Sequence, residues 1–401
     1  MKKLAKILLP AIACLVASLT QAQPLPPEQL QLRVTIQLAS DAGMSGNSTF
    51  NPRFFDGFVY VNQITVPGFG RYPSGSGAPA LVVNNTGVPL EHRMVAPFRG
   101  ALRSTYLLGS SMGLAPGTTT FSRYDFDGNN RVDVNTPDSQ TAEGFDWVDD
   151  DTIIYTVYNP SGNRKRLYLV DVVADPFSLQ VNTTWNATGY LTTSVGTRIR
   201  NVRVGDVYRG YAYYGDGNQN NNPNFYALNL ATGAETLLGN AGALTGSGSF
   251  GVWTVLERGG YLYVQTTDNG IQVFSMTSAT TLGPLHAVYA KADLDAVTGY
   301  TGQYYGLDVT PDGKQLLLGA AGGLIYELGQ PILSISRMGA DLFLSWPATV
   351  TAVAIQASPS LYPPAFADLD PQPFVGVLEK LNVAQVLLGE GNMFFRLRKA
   401  P

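Results

Sequence analysis

Charge is what this chain has little of. Asp, Glu, Lys and Arg make up 14% of its 401 residues, against about 25% in an average soluble protein. Histidine occurs only at His92 and His286, and two histidines far apart in the chain leave almost no material for a histidine metal centre or a Ser-His-Asp triad. Cysteine occurs once, at Cys14, so no disulfide can form within one chain and no further thiol is on hand as a nucleophile. The net charge is −4, with no basic stripe to neutralise phosphates, which argues against a nucleic-acid partner. No glycine-rich phosphate loop opens a helix. A helical i, i+3, i+4, i+7 stripe longer than two turns is missing after the first residues. What fills the space is Gly (43), Tyr (21) and short alternating runs of Val, Tyr, Phe, Leu and Thr, a turn-rich and strand-rich composition that predicts an all-β fold.

Residues 1–22 form a targeting segment. Lys2, Lys3 and Lys6 precede an apolar run from Leu8 to Leu19, and Thr20-Gln21-Ala22 offers a small-residue cleavage site before Gln23. The run is shorter than the roughly 20 residues needed to span a bilayer, so a cleaved signal peptide and a secreted, extracellular or periplasmic protein without a membrane span are expected. Ala13-Cys14 is the competing feature, a site at which lipid would attach to Cys14. Cleavage after Ala22 removes three lysines and the cysteine, taking the net charge from −4 to −7. The mature protein must then hold together through its core and strand ladders.

The remaining chain repeats one plan, seen most plainly at Tyr304–Leu328. Tyr304–Thr310 reads as a strand, Pro311-Asp312-Gly313 as a turn, Gln315–Gly319 as a strand, Ala321-Gly322-Gly323 as a second turn and Leu324–Leu328 as a third strand. Earlier turns lead into comparable strands starting at Phe58, Thr105, Thr152, Tyr211 and Tyr261, and the last starts at Gln315. These starts lie roughly 50 residues apart, a blade-sized period. A strand, Thr-Gly turn, strand unit recurs at Leu81–Leu90 and Leu228–Leu237, and more loosely at Leu167–Val181 and Val273–Leu285. On these residues, from Leu32 to Leu328, the chain resembles the WD40/YVTN-like superfamily of secreted and periplasmic β-propellers. The resemblance implies a six-bladed β-propeller over residues 23–330, with seven blades as the alternative count and stacked sheets as the alternative fold. The last repeat has three strands, while Leu32–Leu38 alternates cleanly and has no local partner. Since an open edge at the seam would leave a row of backbone groups unpaired, Leu32–Leu38 is expected to pair with Leu324–Leu328.

At Gly329-Gln330-Pro331 the period stops. About six short strands follow, at Ile332–Ser336, Asp341–Trp346, Val353–Ala357, Phe374–Leu378, Val383–Leu388 and Met393–Arg398, which predicts a small β-sandwich over residues 331–401. Leu342–Pro347, Ile355–Ser358 and Phe394–Leu397 are similar to fibronectin type III-like modules of secreted bacterial proteins, which implies a spacer or attachment role. Trp346 is expected to anchor that core in preference to serving as a ligand platform.

Three groups of residues are candidates for chemistry. Asp125, Asp127, Asn129 and Asp133 place oxygens at positions 1, 3, 5 and 9 of a calcium-type loop. Asn130 replaces the glycine of that pattern, Thr136 replaces its bidentate carboxylate, and Asp-Gly-Asn-Asn is good turn chemistry by itself. Asp149-Asp150-Asp151 matches Pro311-Asp312-Gly313 in position and reads as a solvated turn before a metal or acid-base site. Tyr211, Tyr213, Tyr304 and Tyr305, with Asp216 and Asn218 of the DGNQNNN loop, combine flat aromatic faces with polar side chains, as a glycan or peptide site does. Packing between blades is the other role open to these tyrosines. The expected function is ligand or partner binding on one ring face without catalysis. The alternative is a calcium-assisted hydrolase, lactonase or lyase on the same scaffold.

Overall fold

A computed structural model describes residues 23–38, 51–62, 68–84, 91–97, 106–112, 121–137, 142–157, 164–217, 223–241, 251–266, 270–321, 323–330, 333–338, 341–347, 353–359, 366–378, 381–387 and 393–399. Residues 1–22, the expected targeting segment with Cys14, lie outside them.

Six antiparallel sheets follow one another along the chain. The first contains Arg53–Phe55, Phe58–Asn62, Gly68–Pro73 and Leu81–Asn84; the second contains Glu91–Pro97, Tyr106–Met112, Phe121–Asp125 and Val132–Val134. In the third, Ala142–Trp147, Thr152–Val157 and Arg166–Val173 are followed by Ser178–Val181 and Tyr190–Thr192, both paired to Arg166–Val173. Ile199–Val204, Tyr211–Asp216, Asn224–Asn229 and Glu235–Asn240 make the fourth, and Val252–Arg258, Tyr261–Thr266, Gly270–Ser278 and Thr281–Ala290 the fifth. The sixth has Tyr304–Val309, Gln315–Ala320 and Leu324–Gly329, and its outer strand is Gln31–Ile36 from the start of the described chain. That strand pairs antiparallel with Leu324–Gly329, with Leu32 opposite Leu328 and Ile36 opposite Ile325, so the expected closure is present.

In the third, fourth and fifth sheets burial falls from the inner strands to the outermost. Ala142–Trp147 and Thr152–Val157 are buried at every residue, whereas Ser178–Val181 is half or fully exposed. Strands covered on both faces read as continuous apolar runs, which is why the inner hairpins were legible in the sequence. The first strands touch one another in order, and the sixth returns to the first. Six apolar clusters lie between neighbouring sheets. Tyr60 and Phe69 meet Leu107 and Tyr124 between the first and second, and Phe121 meets Phe145 and Tyr155 edge-on at 5.5 and 5.6 Å between the second and third. The series ends where Val59 and Tyr72 of the first sheet meet Leu317, Ile325 and Ile36 of the sixth. Each large side chain so buried contributes about 1.5–3 kcal/mol.

Three sequence expectations change. The strand unit at Leu81–Leu90 does not sit as Leu228–Leu237 does, across the third and fourth strands of a sheet: Leu81–Asn84 is itself the outermost described strand of the first sheet, and the next described strand, Glu91–Pro97, is the inner strand of the second; residues 85–90 lie outside the described set. Its likeness to Leu228–Leu237 came from alternation, which does not say where in a sheet a strand sits. Lys291–Thr298 is an α-helix; it buries Leu294 alone, too little apolar surface to leave a stripe in the sequence. After residue 330 the strands are Ser334–Met338, Asp341–Pro347, Val353–Ser358, Ala367–Asp368, Val375–Leu378, Leu381–Leu387 and Phe394–Lys399, in sheets of four and three. The two-residue strand Ala367–Asp368 was not expected. Leu344, Trp346 and Ala384 of one sheet and Ile355 of the other form a shared core, in which Trp346 is buried. Among the described residues no helix is long and apolar enough to cross a membrane.

Candidate functional site

The inner strands share a feature that composition does not show. In five sheets the pairing with the second strand slips near the same point: between His92 and Met94, Ala142 and Phe145, Ile199 and Val202, Val252 and Thr254, and Tyr304 and Leu307. A bulge of this kind bends its strand and re-aims the residues beside it. Past the bulge the third, fourth and sixth sheets carry Asp146, Arg203 and Asp308, and Arg53 stands on the inner strand of the first.

These charged groups meet inside the ring. Asp308 accepts from Arg203 Nη2 at 2.5 Å and from the Phe54 N–H at 2.7 Å, with Arg258 Nη2 at 3.6 Å. Asp146 accepts from the Val204 N–H at 2.9 Å and lies 3.4 Å from Arg203 Nε and 3.6 Å from Arg53 Nη1. Spare guanidinium nitrogens reach carbonyls: Arg53 to Phe145 at 2.6 Å, Arg203 to Leu307 at 3.2 Å and Arg258 to Val309 at 3.3 Å. Burial alone would raise the Asp308 carboxyl, but Arg203, Arg258, Arg53 and the Phe54 N–H together hold it below the usual carboxylate range. Burial, then the neighbouring Arg203, lowers Arg53 to about 9. The network ties the first, third, fourth, fifth and sixth sheets to one another across the axis.

Over this network, where inner strands turn into second strands, opens a pocket of about 550 Å³. Phe54, Phe55, Arg209, Arg258, Val309 and Pro311 line it, with Asp56 and Asp206. Its wall includes the two-residue turn Asp56-Gly57, both at positive φ (47° and 74°), between the paired Phe55 and Phe58, the geometry that Asp-Gly favours in a tight hairpin. Glu257, fully buried, accepts from the N–H groups of Val207, Tyr208 and Gly260 and so fixes the fourth-sheet turn that carries Arg209. At the opposite mouth Arg198 grips Glu143 through Nε at 3.0 Å and Nη2 at 2.5 Å, and Arg200 lies 4.7 Å over Trp253, which meets Tyr305 edge-on at 4.8 Å.

The residues expected to bind a ligand do not form one surface. Tyr213 is fully buried between the fourth and fifth sheets and donates to Ala279 O at 3.1 Å; Tyr211 packs half-buried against the same cluster. Tyr304 is buried between the fifth and sixth sheets, with its hydroxyl 2.8 Å from Thr298 Oγ1. Asp216 is buried and accepts from the Gly196 N–H at 2.8 Å and Thr197 Oγ1 at 2.9 Å. Tyr305 is half-buried near the mouth opposite the pocket, and Asn218 lies outside the described residues. The pocket and its arginines escaped the sequence reading. A signal was there: Gly144-Phe145-Asp146-Trp147 and Gly306-Leu307-Asp308-Val309 repeat an aspartate inside an otherwise apolar inner strand.

The calcium-type loop is the outer turn of the second sheet. Asn129 donates to Asp127 through its backbone N–H at 3.2 Å and its side chain at 2.9 Å, which holds Asp127 below the usual carboxylate range. Asn130 donates to Asp125 at 2.6 Å, while Asp133 accepts from Ser122 and Arg131, both at 2.7 Å. The oxygens are turned to partners within the hairpin, and the arrangement fits a hydrogen-bonded turn better than an ion. Among the described residues no three of His, Cys, Asp or Glu gather as a metal requires. Asp149 caps its own turn, accepting from the N–H groups of Asp151 and Thr152. His286 stands exposed against Tyr261 on the fifth sheet, away from His92 on the second.

Sheets whose first strands close a ring, with apolar clusters between neighbours and a seam where Gln31–Ile36 pairs with Leu324–Gly329, define a β-propeller. No family model and no curated protein matches the sequence. Among solved structures the chain is similar to the WD40 domain of Neurospora crassa Pan2, at 11% identity over 71% of this chain and 75% of that one, with a TM-score of 0.43. It is also similar to a chain of a nidogen/laminin complex, at 15% identity over 65% and 84%, again with a TM-score of 0.43. Neither brings a function to this chain.

Proposed function

We propose that this protein is an exported, six-bladed β-propeller that works by binding, holding a protein or glycan partner at the ring mouth where the pocket opens. Each of the six sheets is one blade in this reading. Residues 331–401 are a fibronectin type III-like sandwich that serves as spacer or attachment module, and residues 1–22 direct export. The observation that carries the reading is the pocket itself: about 550 Å³, walled by turns of several sheets, with apolar and charged groups side by side, as ligand sites are built. A binding role without catalysis is supported by Asp146 and Asp308, two buried carboxylates on the inner strands beneath it. Both are ion-paired to arginine and hydrogen-bonded to backbone, which leaves them poorly suited to move protons.

The test is a glycan and peptide array probed with residues 23–401, with and without chelator. Binding that is lost in both Phe55→Ala and Arg209→Ala, with the melting temperature kept, is expected. Binding that survives both substitutions, or that residues 331–401 reproduce alone, would place the site elsewhere.

A further inference from the structure

The cations beneath the pocket are not held equally closely. Three guanidinium groups, Arg53, Arg203 and Arg258, meet two carboxylates, Asp146 and Asp308. Asp146 is shared by Arg53 and Arg203, and Asp308 already holds Arg203 at 2.5 Å, so Arg258 at 3.6 Å is the cation least closely paired; the third buried carboxylate, Glu257, accepts from the N–H groups of Val207, Tyr208 and Gly260. It is also the one of the three that lines the pocket. Its Nε and Nη1 are fixed on the carbonyls of Val309 and Glu257, which orients the guanidinium without neutralising it. Arg209, on the same lining, donates through Nε to Asp206 O at 3.2 Å, and among the described residues its terminal nitrogens have no partner. Asp56 and Asp206 also face the pocket; Asp56, like Arg209, is exposed and Asp206 half-exposed, where water and salt screen the charge of all three. Arg258, whose side chain is 12% exposed, is screened far less.

Building on the binding role given to this pocket above, we propose that it selects a ligand bearing a carboxylate, whose anionic group pairs with Arg258 and Arg209 while its apolar part lies against Phe55. Arginine is the side chain best shaped for that pairing, since its fork can meet both oxygens of a carboxylate at once. Phe55 is 37% exposed and with Phe54 and Pro311 offers the apolar surface. The carboxylate can belong to a peptide end or to a sugar acid.

Three probes separate these: N-acetylphenylalanine, its uncharged amide, and glucuronate, each titrated calorimetrically into residues 23–401 at low and high salt. The acid is expected to bind at least ten-fold more tightly than the amide, with the gap narrowing in high salt. Arg209→Ala should remove most of the gap and Arg209→Lys should keep part of it, with melting temperatures unchanged. Glucuronate binding more tightly than N-acetylphenylalanine identifies a sugar acid as the source, and the reverse order a peptide end. Acid and amide binding equally, with Phe55→Ala weakening both, would overturn the selection for an anion and leave the pocket as a binding site. No binding of any probe would also overturn it, and the array then decides separately whether the pocket binds at all.

Discussion

Glu327 is the residue whose loss should be felt most widely. It sits on the third strand of the sixth sheet, fully buried, 3.0 Å from Arg33 Nη1 on the closing strand. It also accepts from Ser74 Oγ at 2.8 Å and the Gly75 N–H at 2.7 Å on the first sheet. One carboxylate therefore joins both sides of the seam and the strand that seals it. Glu327→Ala leaves Arg33, whose side chain is 5% exposed, as a buried charge without its counter-ion, at a cost of about 3–5 kcal/mol. The Gly75 N–H loses its acceptor as well, a further effect of about 1–3 kcal/mol that overlaps with the first. Ser74 is better placed, because Gln315 Oε1 lies 3.0 Å from the same hydroxyl. Against a total stability of about 5–15 kcal/mol, the substitution should lower the urea midpoint of the whole ring, read by tryptophan fluorescence, and expose residues 23–38 to protease. The double variant Arg33→Met with Glu327→Leu should recover more than about 1 kcal/mol, since a buried pair exchanged for apolar side chains of similar size is often neutral. A loss below about 1 kcal/mol, or a loss confined to proteolysis of the terminus with the urea midpoint unmoved, would refute the clasp.

Four further outcomes follow from other parts of the fold. Asp308 has a folded pKa below its unfolded value of about 3.9, so its contribution is complete above that value and is lost as the pH falls through the folded one; Asp308→Asn should lower stability at pH 7 and flatten the acid limb of an unfolding curve below about pH 4. Gly306→Ala should destabilise by about 1–3 kcal/mol, because Gly306 has φ +96° and an added Cβ would meet the Asn51 N at 2.6 Å; an unchanged denaturation midpoint would show that the seam there can yield. Millimolar calcium should leave the melting temperature unmoved, given the turn bonds of Asp127; a rise abolished by Asp127→Ala would assign an ion to residues 125–133. A chain of residues 23–330 should fold by itself, as the last two sheets bury a core of their own; aggregation cured by restoring residues 331–401 would refute that.

Strand starts were legible because the inner hairpins are covered on both faces and bounded by Asp, Gly and Pro. Thr152, Tyr211, Tyr261 and Gln315 begin strands where expected, and Tyr106 begins one a residue after Thr105. The partner of Leu32–Leu38 followed from one strand lacking a neighbour and one repeat lacking a strand. The axis was not legible. Arg53, Arg203, Asp146 and Asp308 are charged residues that are nonetheless buried, and a reading that sends charge outward cannot find groups that neutralise one another from different sheets. Tyrosines misled for the same reason: Tyr213 and Tyr304 carry polar tips, but each tip finds a partner inside an interface between sheets, where their rings serve as core. Tyr305, one residue from Tyr304, reaches the rim because successive side chains on a strand point to opposite faces.

The pairing of Ile36 with Ile325 also sets an order of events in folding. Sheets one to five can form from neighbouring hairpins as soon as their own residues are present, each enclosing only a short loop. The seam encloses about 290 residues, and bringing its ends together from an open chain would cost roughly 5 kcal/mol in loop entropy. Once the intervening sheets have stacked they hold the two ends near one another, so most of that cost falls on their assembly. Closure is then the last step, and until it occurs Leu324–Gly329 presents an unpaired edge of the kind that seeds aggregation. A chain crowded with copies of itself has a second way to fill that edge, namely the Gln31–Ile36 strand of a neighbour. Exchange of that strand between copies is therefore the misassembly expected of this chain, and dilution during refolding should suppress it.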